Sequence, residues 1–314
     1  MQVAALDKKI AFVFPGQGSQ SVGMMAGWGE RAEVRNTFAE ASDALGQDLW
    51  ALVTDGPADL LNQTVNTQPA MLAADIAAWR VWQAAGGATP ALLAGHSLGE
   101  YAALVAAGSL NFSDAIKLVR FRAEAMQAAV PEGVGAMAAI LGLDDDAVRA
   151  VCADAAAGEV VEAVNLNSPG QVVIAGNKAA VERAMALAKE KGAKRALPLP
   201  VSVPSHSSLM RPAAEKLLAH LQGVSIFAPT IPVLHNTDVQ SHADADAIRV
   251  ALAKQLHTPV RWVETVQALK AAGIERVIEC GPGKVLAGLA KRIDDSLPAL
   301  ALVDEASLAA ALNN

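Results

Sequence analysis

The sequence predicts an α/β protein built on a mostly parallel sheet, with a smaller ferredoxin-like βαββαβ unit inserted into it. Three observations carry this. Short apolar runs alternate with helical stretches in the first and last thirds of the chain, as in a sheet covered on both faces. A serine sits in a glycine-flanked turn between a strand and a helix, at Gly95-His96-Ser97-Leu98-Gly99. Residues 136–199 carry their own strand and helix rhythm. Residues 1–131 and 201–314 then form the larger domain, and residues 132–200 the inserted subdomain.

The elements follow in order. Ile10 to Phe14 is an apolar run that breaks at Pro15 into the loop Gly16-Gln17-Gly18-Ser19-Gln20, a buried strand and its turn. A helix is predicted over Thr67 to Gly86, with Thr67 as N-cap and Pro69 in the first turn. Pro90 opens the run Ala91 to Ala94, the glycine-flanked serine follows, and Glu100 to Ala107 reads as a small-residue helix. The next helix is capped by Ser113 and runs to about Val130, where Pro131 stops it. The inserted unit reads strand 136–141, helix 144–157, strands 160–164 and 172–175, helix 179–191 and strand 195–199. After Pro200, strands are expected at 231–234, 277–280 and 299–303, separated by helices.

Composition excludes several classes of function. Of the 314 residues, 53% are hydrophobic and 18% charged, which is incompatible with a disordered chain. Twenty-five Lys and Arg against 32 Asp and Glu give a net charge of −7, a poor field for nucleic acid; an acidic partner would need a local basic patch. Cys152 and Cys280 have no CxxC spacing, so neither a disulfide framework nor a metal site is indicated. Met1 to Lys9 lacks the order of a signal peptide, and no uncharged apolar run reaches the ~18 residues of a membrane span. A cytoplasmic location is expected.

The chemistry centres on Ser97. Glycines at 95 and 99 permit a strained turn that would present its hydroxyl at a helix N-terminus. Of the six histidines, His220 and His242 read as surface groups, and the tight turn should point His96 away from the serine. His206 lies where an apolar segment, Val201-Ser202-Val203, gives way to a proline loop; it is either the general base or a loop histidine satisfying backbone groups. No acid lies near it before Glu215, so a main-chain carbonyl is the expected orienting group. The loop at 15–20 lacks the Lys-Ser/Thr pair of a nucleotide-binding loop; its free N–H groups, with that of Leu98, suit an oxyanion hole. On the 113–130 helix, Arg122 falls in the stripe of Ala115, Leu118, Val119, Ala125, Met126 and Ala129, whereas Arg120 falls on the polar face. An inward guanidinium needs a carboxylate or phosphate, either from a ligand or from an interior acid.

Five segments carry a family resemblance: Ala11 to Gln20, Gly95 to Glu100, Asn165 to Gln171, Pro204-Ser205-His206 and Gly281-Pro282-Gly283-Lys284. In that order they closely resemble the malonyl-CoA:acyl-carrier-protein transacylase family of bacterial type II fatty acid synthesis. The resemblance spans all but about the first nine residues. It implies an α/β-hydrolase-like core and ping-pong transfer of malonyl from coenzyme A to the phosphopantetheine thiol of acyl carrier protein, with no cofactor and no metal. It further implies Ser97 as nucleophile, His206 as base, and Gln255 as the residue whose carbonyl orients the histidine. Arg122 matches the residue that holds the malonyl carboxylate, and Gln17 and Leu98 match the oxyanion donors. An acidic carrier protein would dock on Lys284, Lys291 and Arg292, with Lys194 and Arg195.

Overall fold

The computed structural model describes residues 5–201 and 203–313. Met1 to Ala4 of the amino-terminal segment, Ser202 of the segment before His206, and Asn314 lie outside the described residues. The strands are β1 Leu6–Phe14, β2 Thr89–Gly95, β3 Gly135–Leu141, β4 Val161–Ser168, β5 Gln171–Asn177, β6 Arg195–Pro198, β7 Val233–Leu234, β8 Arg276–Cys280 and β9 Ala299–Leu302.

The larger sheet runs β7-β2-β1-β8-β9, and every pairing in it is parallel. Along β1, Ile10, Phe12 and Phe14 enter one core with Leu93, Val233 and Ile278. Ala11 and Val13 enter a second core on the opposite face, with Ala94, Leu234 and Val277. Because both faces are buried, the strand reads as an unbroken apolar run rather than an alternation. Each large side chain so buried contributes about 1.5–3 kcal/mol. β7 is shorter than the run Ile231 to Leu234 suggested, since Pro232 has no N–H for a ladder and only its carbonyl pairs, accepting from Leu93.

The helix Thr64–Ala84 crosses the first core, with Met71, Leu72, Ala73 and Ala74 fully buried. Trp79 and Trp82 meet Phe12 at 5.3 and 5.1 Å between ring centres. It starts earlier than expected, and Thr67 is not its cap: the Thr67 hydroxyl donates to Leu61 O at 2.6 Å instead. Ser113 does not cap the helix Phe112–Ala129 either; Asn111 occupies that place, and Ser113 donates to Glu40 at 3.2 Å. Both hydroxyls found tertiary acceptors that local reading does not reveal.

The smaller sheet runs β4-β5-β3-β6 with all pairs antiparallel, the strand order of a ferredoxin-like βαββαβ unit. Helices Asp145–Ala155 and Lys178–Glu190 share one core with it, the first capped by Asp144 accepting from Ala147 N–H at 2.7 Å. β4 extends to Ser168, past the apolar part of its sequence. Its register shifts between Ala163 and Asn165, and again between Leu166 and Ser168. There it pairs with the larger domain, Leu166 N–H donating to Val260 O at 3.0 Å and Val260 N–H to Val164 O at 2.8 Å. Among the described residues no helix is long and apolar enough to cross a membrane.

Candidate active site

β1 and β2 end side by side, and the chain leaves β2 through the serine turn. Ser97 has φ +52°, a left-handed conformation that a non-glycine residue adopts only under constraint. Packing explains the flanking glycines. A Cβ on Gly95 would lie 1.9 Å from the Gly99 carbonyl carbon, and one on Gly99 would lie 2.0 Å from Phe14 O. Gly16 is confined in the same way, 2.4 Å from His96 O, which presses the 15–20 loop against the serine turn. The helix Gly99–Ala106 starts directly behind Ser97, so the hydroxyl stands at its positive end.

His206 Nε2 lies 2.8 Å from Ser97 Oγ, and its Nδ1 lies 2.7 Å from the main-chain oxygen of Gln255. A carbonyl only accepts, so Nδ1 carries the proton and Nε2 is left to accept from the serine. Gln255 ends the helix Ala245–Gln255, and its carbonyl is one of those a helix leaves unpaired at its C-terminus. The carbonyl of Leu256, next in the chain, accepts the His206 N–H at 2.9 Å. Burial, reinforced by the nearby Arg122 charge, lowers the His206 pKa to about 3, so the ring is neutral and basic at neutral pH.

Arg122 is buried, as its helical stripe predicts. Its guanidinium donates to Gln68 Oε1 at 2.8 Å, Gln255 Oε1 at 2.9 Å and Ser97 Oγ at 3.3 Å. All three acceptors are neutral. Among the described residues no carboxylate forms an ion pair with it; the interior acid acting on it, Glu100, does so without a direct contact. Burial lowers the pKa of this arginine, partly opposed by Tyr101 and Glu100 nearby. Arg120, expected in solvent, is partly buried and donates to Gln47 at 2.5 Å.

The main-chain nitrogen of Leu98 lies beside the 15–20 loop, 3.6 Å from where a Gly16 Cβ would lie. Neither it nor the N–H of Gln17 has a hydrogen-bond acceptor among the described residues. The Gln17 side chain is anchored by Thr64 Oγ1 at 2.6 Å. His96 turns away from the serine toward Asn167 Oδ1 at 2.8 Å. His220 is exposed and stacks on Phe121, while His242 is half-buried against Asp238 at 2.8 Å. Sequence reasoning gave no role to Gln68, Asn236 or Glu100, although a lone acid in the apolar helix Gly99–Ala106 was a visible signal for the last.

Known proteins match this architecture along nearly its whole length. Residues 11–310 fit the family described as the acyl transferase domain. A malonyl CoA-acyl carrier protein transacylase of Salmonella typhimurium is 60% identical over 305 residues, covering 97% of this chain and 99% of that protein. The chain belongs to the malonyl CoA-acyl carrier protein transacylase family. The crystal structure of an acyl-carrier-protein S-malonyltransferase from Burkholderia pseudomallei superposes with a TM-score of 0.96 at 63% identity, covering 98% of this chain and all of that one. A malonyl-transacylase solved in complex with its type II PKS acyl-carrier protein has a TM-score of 0.96 at 56% identity, with coverage of 98% and 100%.

Within this transacylase fold the five basic residues singled out in the sequence are all exposed. Arg292 donates to Gln171 at 2.5 Å, Gly142 N–H donates to Gly170 O at 2.8 Å, and Lys194 packs on Gly142 with Arg195 beside it. Lys284 follows Gly283, which sits against Ser19 of the 15–20 loop.

Proposed function

We propose that the chain transfers malonyl from coenzyme A to the phosphopantetheine thiol of acyl carrier protein through an ester on Ser97. The observation that carries the substrate assignment is Arg122: a buried guanidinium whose hydrogen-bond acceptors among the described residues are all neutral, 3.3 Å from the serine hydroxyl. A free carboxylate on the acyl group supplies the missing anion through a bidentate pair. Ser97 Oγ attacks the thioester carbonyl while its proton passes to His206 Nε2. The oxyanion is held by the N–H groups of Gln17 and Leu98, and the imidazolium by the Gln255 carbonyl at the negative end of its helix. Collapse of the intermediate breaks the C–S bond, and the departing thiolate takes the proton from Nε2. The carrier's thiol then reverses these steps.

The proposed reaction draws only on side chains, backbone N–H groups and the thioester itself, so it calls for no cofactor. A cytoplasmic location is supported by Cys152 and Cys280, both free and buried. The proposed division at residues 132–200 is supported by the separate core of the small sheet.

The test is to load the protein with malonyl-CoA, remove coenzyme A, and follow the acyl-enzyme by intact mass. It should persist in buffer and discharge when a pantetheine thiol is added. Release of malonate to water at the rate of thiol transfer would instead make the protein a hydrolase.

The exposed Lys291 and Arg292 give a further expectation. Reversing the charges of Lys291 and Arg292 should raise KM for the carrier protein and leave KM for malonyl-CoA unchanged, with the difference shrinking as salt is added. Equal effects on both substrates in steady-state kinetics would count against docking there.

A further inference from the structure

The proposed chemistry uses Ser97, His206, Arg122, Gln255 and two backbone donors, and leaves one buried acid unexplained. Glu100 is fully buried, one turn behind the serine. Its Oε1 accepts from His235 Nδ1 at 2.7 Å, and its Oε2 accepts from Asn236 N–H at 2.9 Å and from Gln255 Nε2 at 3.0 Å. Asn236 and Gln255 both reach Ser97. Asn236 Oδ1 accepts the Ser97 N–H at 2.7 Å while its Nδ2 donates to Gly95 O at 2.7 Å. Gln255 Nε2 donates to Ser97 O at 2.9 Å.

We propose that Glu100 is a positioning residue for acyl transfer: through Asn236 and Gln255 it clamps both peptide groups of Ser97 and fixes the strained serine turn. This rests on the assignment of Ser97 as nucleophile. The left-handed backbone at Ser97 is unfavourable unless its surroundings over-determine it. Here its N–H and its carbonyl are each tied to a side-chain amide, and a single carboxylate holds the main chain of one amide residue, Asn236, and the side chain of the other, Gln255. The Asn236 amide spans the Ser97 N–H and Gly95 O, so its reach depends on where its main chain is held, and Glu100 holds it there. Glu100, which only accepts, reinforces the orientation of Gln255 that presents Nε2 to Ser97 O. That orientation turns Gln255 Oε1 toward Arg122, so the same carboxylate sets the arginine's position relative to the serine. His235 completes the cluster. Burial opposes its charge, but contact with Glu100 outweighs burial and raises its pKa.

The role separates from a merely structural one in the kinetics. Glu100→Ala should lower kcat for Ser97 acylation by malonyl-CoA by roughly a hundredfold, the effect of a displacement of about an ångström at a reacting centre. KM should stay within about threefold. Glu100→Gln retains an acceptor for Asn236 and Gln255, and His235 can switch tautomer to receive its N–H. It should restore kcat to within about tenfold of wild type. Asn236→Ala should lower kcat about tenfold, and combining it with Glu100→Ala should add less than about threefold to Glu100→Ala alone, since both act through the same peptide group.

Should Glu100→Ala fail to fold, Asn236→Ala and Glu100→Gln still decide the matter. A wild-type rate in Asn236→Ala, or equal losses in Glu100→Ala and Glu100→Gln, or strictly multiplicative effects in the double variant would overturn the proposal. Malonyl on Ser97→Ala protein would overturn the nucleophile assignment itself, a distinct outcome visible by intact mass.

Discussion

Arg122→Ala should collapse the ratio of malonyl to acetyl transfer by at least about a hundredfold. In the wild type the guanidinium has no ion-pair partner among the described residues, so malonyl-CoA supplies one and acetyl-CoA leaves the charge unpaired. Truncating one member of a buried, hydrogen-bonded charge pair costs roughly 2–5 kcal/mol, and that loss falls on kcat/KM for malonyl-CoA alone. Acetyl transfer loses no such contact and gains from removal of an unpaired charge. The measurement is kcat/KM for both thioesters in wild type and variant. A parallel fall in both activities would mean that Arg122 serves the fold through Gln68 and Gln255 and does not select the acyl group.

His206→Ala should slow both half-reactions by about two to four orders of magnitude, the usual contribution of a placed general base. A matching pH profile is expected in the wild type. With its pKa lowered to about 3, His206 stays in the basic form as the pH falls from neutrality, so its protonation should leave kcat/KM for malonyl-CoA nearly level down to about pH 5. An unperturbed histidine would be only about 3% neutral there. Stopped-flow acylation across that range distinguishes the two. A fall of kcat/KM centred near pH 6.5 would show that the ring is not held in the dry, Arg122-facing position described.

The parts of the site that were legible in the sequence are those governed by local rules. Gly95 and Gly99 are demanded by contacts within and immediately beside the strand-turn-helix unit, and Arg122 announced itself by its place in a helical apolar stripe. Long-range partners were not legible. Asn236 meets Ser97 across 139 residues, Gln68 meets Arg122 across 54, and neither residue type is unusual where it stands. The role of Gln255 came from family resemblance alone, because a main-chain carbonyl at a helix end has no side-chain signature. The parallel sheet and the inserted unit followed from apolar periodicity. Boundaries failed where polar residues had tertiary partners, as at Thr67, Ser113 and the extension of β4 to Ser168.

Transfer through Ser97 requires a covalent intermediate at one hydroxyl, and intact-mass spectrometry after mixing with malonyl-CoA reads it directly. The wild type should gain a single malonyl group, located on Ser97 by peptide mapping, and Ser97→Ala should gain none. An undiminished adduct on the Ser97→Ala protein, or a wild type that transfers malonyl without ever carrying it, would contradict the account.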